Sequence, residues 1–156
     1  MRPWVQDPSP ELETVFAHIA RTRMADVPLC NAALRVEAIG FRPGPGGHWV
    51  GVMVTPWAIN LLCLPRQAEH WPALPAGAKH DWGFPSGAYE FTVAEESSLG
   101  AYHLCSLFSP VLEFATHDQA QLTARAAVEA LFAEPVAATG ATPVVASRRA
   151  FLGLRG

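Results

Sequence analysis

Trp49-Val50-Gly51-Val52-Met53-Val54-Thr55-Pro56-Trp57-Ala58-Ile59-Asn60-Leu61-Leu62-Cys63-Leu64 is the stretch that decides the fold. Two short apolar runs flank a segment that contains proline. Each run has strand length rather than helix length, so both read as strands. Pro56 removes a ladder donor, which puts a loop or bulge at Thr55-Pro56-Trp57. Strands joined this tightly in sequence pair antiparallel, as in a meander.

The same period extends outward. Leu34, Val36, Ala38 and Phe41 read as a preceding strand, followed by a turn at Arg42-Pro43-Gly44-Pro45-Gly46-Gly47. Residues 88–93 and 101–106 read as a fourth and a fifth strand. Between them and the central pair, residues 65–85 read as a loop holding His70, Trp71, His80 and Trp82. A loop of that length inside a compact domain is unusual and often functional.

A helix is expected at each end. Ser9 reads as an N-cap and Pro10 as the first helical residue. Leu12, Val15, Phe16 and Ile19 follow at i, i+3, i+4 and i+7, with the helix ending near Met24. Glu11 and Glu13 in the first turn, with Arg21 and Arg23 in the last, complement the helix dipole. Thr116 and Gln119 form a capping box, Ala124, Ala127, Val128, Leu131 and Phe132 make an apolar face, and Pro135 ends the helix. The expected fold is α+β: an antiparallel meander of about five strands with an N-terminal and a C-terminal helix on one face. Residues 1–135 make the domain. Residues 136–156 read as a flexible linker carrying a tail.

Composition narrows the function. Half of the 156 residues are apolar and 16% are charged, as in a globular chain. A net charge of −3 offers no footprint for nucleic acid, and no apolar run has the length of a membrane span. Cys30, Cys63 and Cys105 are odd in number and lack C-x-x-C, against a disulfide framework or a zinc site and in keeping with a reducing compartment. The opening residues, Met1 to Pro8, have no apolar h-region, which predicts residence in the cytoplasm.

The side chains show no catalytic constellation, so no enzyme is expected. His103 and Cys105 share a strand face, which suggests a base and a thiol, but the plainer reading of Cys105 is a buried small hydrophobe. The six histidines show no metal-ligand spacing, and Gly44-Pro45-Gly46-Gly47 is a turn rather than a phosphate loop. No cofactor is expected. Trp49, Trp57, Trp71 and Trp82 are either core aromatics or the lining of a peptide-binding surface. Asn60, inside an apolar run, must hydrogen-bond a neighbouring backbone or face a site.

The last feature is the tail. Ser147-Arg148-Arg149-Ala150-Phe151-Leu152 matches the twin-arginine export consensus at every position it covers. A working signal stands at the N-terminus, before an apolar stretch and a cleavage site. Only Gly153-Leu154-Arg155-Gly156 follows here. The tail is therefore either an arginine-bearing surface segment or an imitation of a signal.

Several blocks together resemble a known family. They are Asn31-Ala32-Ala33-Leu34 with residues 36–41, Thr55-Pro56-Trp57-Ala58-Ile59-Asn60-Leu61, Phe84-Pro85-Ser86-Gly87, Cys105-Ser106-Leu107-Phe108-Ser109-Pro110 with Glu113-Phe114, and the closing Ser147 to Leu152. In this order they look like the nickel–iron hydrogenase assembly chaperones of the HybE, HupJ and HoxT type. The resemblance runs from about residue 9 to the end. It departs at Ala32, where the family favours proline, and across residues 66–83. It implies a cytoplasmic maturation chaperone, not a hydrogenase. The implied partners are the small-subunit precursor, which carries a twin-arginine signal, the large subunit, and other maturation factors. The implied role is to hold the precursor and delay export until assembly is complete. It also turns the tail toward imitation. The expected partner-binding residues are Ser147, Arg148, Arg149, Phe151 and Leu152 of the tail, with Trp57, Asn60, Cys105 and Phe108. The alternative is a small thiol, redox or oxygen-protective maturation factor using Cys105 and His103.

Overall fold

The computed structural model describes residues 1–134. Helix α1 (Ser9–Arg21) is followed by β1 (Glu37–Pro43), a 3₁₀ turn (Pro45–Gly47), β2 (Trp49–Val54), β3 (Ile59–Leu64), β4 (Lys79–Phe84), β5 (Gly87–Glu96), β6 (Gly100–Phe108) and α2 (His117–Phe132). The strands form one antiparallel sheet in the order β1-β2-β3-β6-β5-β4. The expected α+β class, antiparallel sheet and two helices are all present.

Three details of the expectation are corrected. The sheet has a sixth strand, β4, inside the segment read as a loop. Its sequence alternates, with Trp82 and Phe84 buried and Lys79, Asp81 and Gly83 exposed. Two charges and a glycine on the open face disguise that pattern. The order is also not a plain meander: β4 lies at the far edge, and β5 and β6 return so that β6 pairs with β3. Finally, the helices cover opposite faces. Val50, Val52 and Val54 of β2 pack with Ala124 and Val128 of α2, whereas Trp49 and Met53 of the same strand pack with Leu12, Phe16 and Ile19 of α1. Alternate residues of one strand point to opposite faces, so two cores sandwich the sheet. The physical reason is visible in β2 and β3, where eleven of the twelve residues are buried. A continuous apolar strand is one covered on both sides.

Caps set the helix ends. Pro8, not Ser9, stands at the first cap, and Asp7 accepts from both the backbone N–H and the hydroxyl of Ser9. At α2, Thr116 accepts from the N–H of Gln119, whose side chain accepts from Ala115, a capping box displaced by one residue. Glu13 of α1 accepts from the N–H of Ala38 on edge strand β1. A bulge between Ile39 and Arg42 bends that strand, with Gly40 at a φ of 70°. No helix among the described residues is long and apolar enough to cross a membrane.

Candidate functional site

At one end of the sheet the loops around residues 27–34, 55–58 and 109–115 converge on Asn31. Its N–H donates to Pro56 O (2.7 Å), and its side-chain amide donates to Val111 O (3.0 Å) and Phe114 O (2.7 Å). Thr55 closes the β2–β3 turn through its hydroxyl, which donates to Ala58 O and accepts from the N–H of Ala58. Trp57 sits half-buried at the tip of that turn, against the α1-side core. Phe108 is half-buried at the end of β6, edge-on to Phe114 at 5.3 Å. Leu29 and Leu112, each 54% exposed, ride on two of the loops that Asn31 joins. Apolar side chains held in the open on fixed loops make this end a candidate protein-contact surface.

Trp57 and Phe108 lie at this end, and so does Asn60, at the start of β3. Asn60 is half-buried, and its side-chain amide makes no hydrogen bond to the described residues. Cys105 does not line the surface. It is 5% exposed, within the α2-side core. The four tryptophans do not form one surface either. Trp49 and Trp82 are buried in the cores of opposite faces, because their strands place them there. The tail residues Ser147, Arg148, Arg149, Phe151 and Leu152 lie outside the described residues.

A second cluster, toward the other end of the sheet, brings together residues far apart in sequence. Register pairs Cys63 with His103 and Val93 with His103, which sets His103 on the α2 face. Trp71 stacks on His103 at 4.2 Å, and Trp82 donates its indole N–H to His103 Nδ1 (2.9 Å). His48 is fully buried, edge-on to Trp71 at 5.0 Å, and its Nδ1 accepts from the N–H of Arg66. Burial, then His80 and His48, push His103 down to about 4, and burial also lowers His48. The cluster pins the segment after β3 onto the sheet as neutral packing. It also bears on the thiol alternative. The Nδ1 lone pair of His103 is engaged by Trp82, so in the neutral ring the proton sits on Nε2 and no lone pair is left to serve Cys105. No group of three or more ligating side chains among the described residues is arranged to hold a metal ion.

Beside this cluster opens a cavity of about 460 Å³. Trp71, Pro72 and Leu74 wall it, and Val93, Ala101 and His103 floor it, with Glu95 at the rim. Only the tryptophans and histidines of this region were flagged in the sequence. The cavity itself depends on β4, β5 and β6 coming side by side. On the opposite face, a groove of about 650 Å³ runs between α1 and the β5–β6 turn, bordered by His18, Arg21, Arg23 and Glu96.

Comparison with known proteins adds a direct finding. The family described as nickel–iron hydrogenase assembly, chaperone, HybE matches residues 7–154. The chain is 45% identical over 139 residues to "Probable rubredoxin HupJ" of Rhodobacter capsulatus, covering 88% of this chain and 50% of that one, so it spans half the length of that relative. It is 40% identical over 137 residues to "Protein HoxT" of Cupriavidus necator, covering 80% of this chain and 75% of that one. The solution structure of HybE from Escherichia coli shares the fold, with a TM-score of 0.69 at 24% identity over 90% of this chain and 86% of that one.

Proposed function

The chain belongs to the HybE family of nickel–iron hydrogenase assembly chaperones, and from that premise we propose that it holds a hydrogenase precursor in the cytoplasm and delays twin-arginine export until assembly is complete. The observation that carries this reading is the tail. The family match extends to residue 154 and so includes Ser147 to Leu152, the segment that matches the twin-arginine consensus. A protein that handles clients with such signals has a use for a segment that competes with them.

The chemistry is that of recognition. Arg148 and Arg149 each present a planar fork suited to a carboxylate, and Phe151 and Leu152 each contribute about 1.5–3 kcal/mol when fully buried. The apolar end built on Asn31 offers a second contact, through Leu29, Trp57, Phe108 and Leu112. This surface suits a subunit whose interface is still uncovered. The client is the small-subunit precursor, alone or with the large subunit. The three cysteines, without C-x-x-C, are one short of a four-thiolate iron site, so the rubredoxin in one relative's name is not carried over.

The test is export timing in cells that carry the hydrogenase genes. Without this chain, small subunit should cross the membrane before its partner is attached, and restoring the chain should hold it back. Export of unassembled subunit at the same rate with and without the chain would rule the reading out. Changing Arg148 and Arg149 to lysine keeps the charge and removes the fork. It should shorten the delay if the tail takes part.

A further inference from the structure

The cavity beside the histidine–tryptophan cluster has a shape and charge that fit one segment of this chain. We infer that residues 148–152 seat in it, with Arg149 on Glu95 and Phe151 between Val93 and Trp71, as a placeholder that a client signal displaces. The inference rests on the proposed holding function for its purpose, though not for its geometry.

Three observations carry it. The first is spacing. Val93 and Glu95 lie two residues apart on one face of β5, as do Arg149 and Phe151 in an extended segment, and both separations are about 6.5 Å. A segment laid antiparallel along β5 sets a guanidinium on the carboxylate and a phenyl ring over Val93 together. Ala101, opposite Glu95, leaves room on the floor, while Trp71, Pro72 and Leu74 form an apolar wall.

The second is charge. Glu95 is exposed, makes no ion pair among the described residues, and is the only acidic side chain lining the cavity, whose lining holds no lysine or arginine side chain and includes Met1. The adjoining surface at the β5–β6 turn adds Glu96, which Arg23 already engages at 2.8 Å. The larger groove on the α1 face is bordered by Arg21, Arg23 and Glu96; Glu96 is taken up by Arg23, which leaves Arg21 as the cation that would repel two arginines. Volume alone would favour that groove, but charge favours the cavity.

The third is reach. Phe132, near the end of the described chain, packs on Phe84 with centroids 5.8 Å apart, and Trp82, two residues before Phe84, lies 5.8 Å from Trp71 in the cavity wall. That path is about 20 Å with the strand spacing included. The 13 residues from 134 to 147 span up to roughly 40 Å, so the segment reaches its own cavity. At an effective concentration of about 1 mM, a peptide with a Kd of about 0.1 mM for the vacant cavity binds the intact chain about tenfold more weakly.

The experiment compares isotope-labelled full chain with a chain ending at Ala146 by NMR, using a synthetic peptide of residues 147–153 as the probe. Truncation should shift the amides of Val93, Glu95 and Ala101 and the indole N–H of Trp71. The peptide should reverse those shifts, binding the shortened chain about tenfold more tightly than the full one. Glu95→Lys, at an exposed position, should give the full chain the cavity resonances of the shortened one. Unchanged cavity resonances on truncation, or equal peptide affinities, would overturn the inference. Shifts that depend on protein concentration would overturn it too, since they assign the cavity to the tail of a second copy. If the cavity does not respond while the full chain still captures precursor, the docking is wrong and the holding function stands. The converse result sinks the holding function and leaves the docking.

Discussion

The amide side chain of Asn31 donates to two carbonyls of one loop while its backbone N–H donates to a third carbonyl in another. Asn31→Ala leaves those two carbonyls to find water at a half-buried site and should cost about 1–3 kcal/mol, read as a lower urea midpoint. Weaker capture of client should accompany it if the end carrying Trp57 and Phe108 is the contact surface. His103 gives a pH dependence. Its folded value of about 4 lies below its unfolded value near 6.5, so the unfolded chain binds more protons between the two. This stability is complete above about pH 6.5 and lost as pH falls toward 4, up to about 3 kcal/mol for this group. His103→Asn keeps an acceptor near Trp82 and removes the titration, so its urea midpoint should vary less between pH 7.5 and pH 5.

Among the elements, β1 and α2 meet where the bulge puts Gly40 at a φ of 70°, and a Cβ there would come within 3.1 Å of Val128. Gly40→Ala should destabilise the fold by about 1–3 kcal/mol through backbone strain and crowding together. Gly83→Ala on β4 is the control. Nothing lies within 4 Å of its added methyl, so thermal unfolding should barely move. The elements also show what the sequence makes legible. The apolar runs of β2 and β3 are unmistakable, and Thr116 with Gln119 marks the start of α2. Strand β4 is hidden because Lys79, Asp81 and Gly83 occupy its open face, leaving Trp82 and Phe84 as its only apolar signal. The opposite placement of the helices was written in the unbroken burial of β2, which one covered face cannot supply. The cavity was not legible, because it depends on the registers Val93↔His103 and Glu95↔Ala101, set by tertiary pairing rather than local pattern.

For the whole molecule, a sheet covered on both faces is a rigid base that leaves its loops and cavity for recognition. The family resemblance is legible in blocks whose roles the fold explains: Asn31, Thr55 and the segment around Pro110 meet at one end, and Ser86 ties the β4–β5 turn to the end of α2 by donating to Leu131 O. The most direct measurement is recovery of this chain, intact and tagged, from cells expressing the hydrogenase genes, with mass spectrometry of the N-terminus of any small subunit that comes with it. The account predicts small subunit still carrying its twin-arginine signal. Small subunit recovered only in its cleaved, mature form, or no hydrogenase subunit at all, would contradict it.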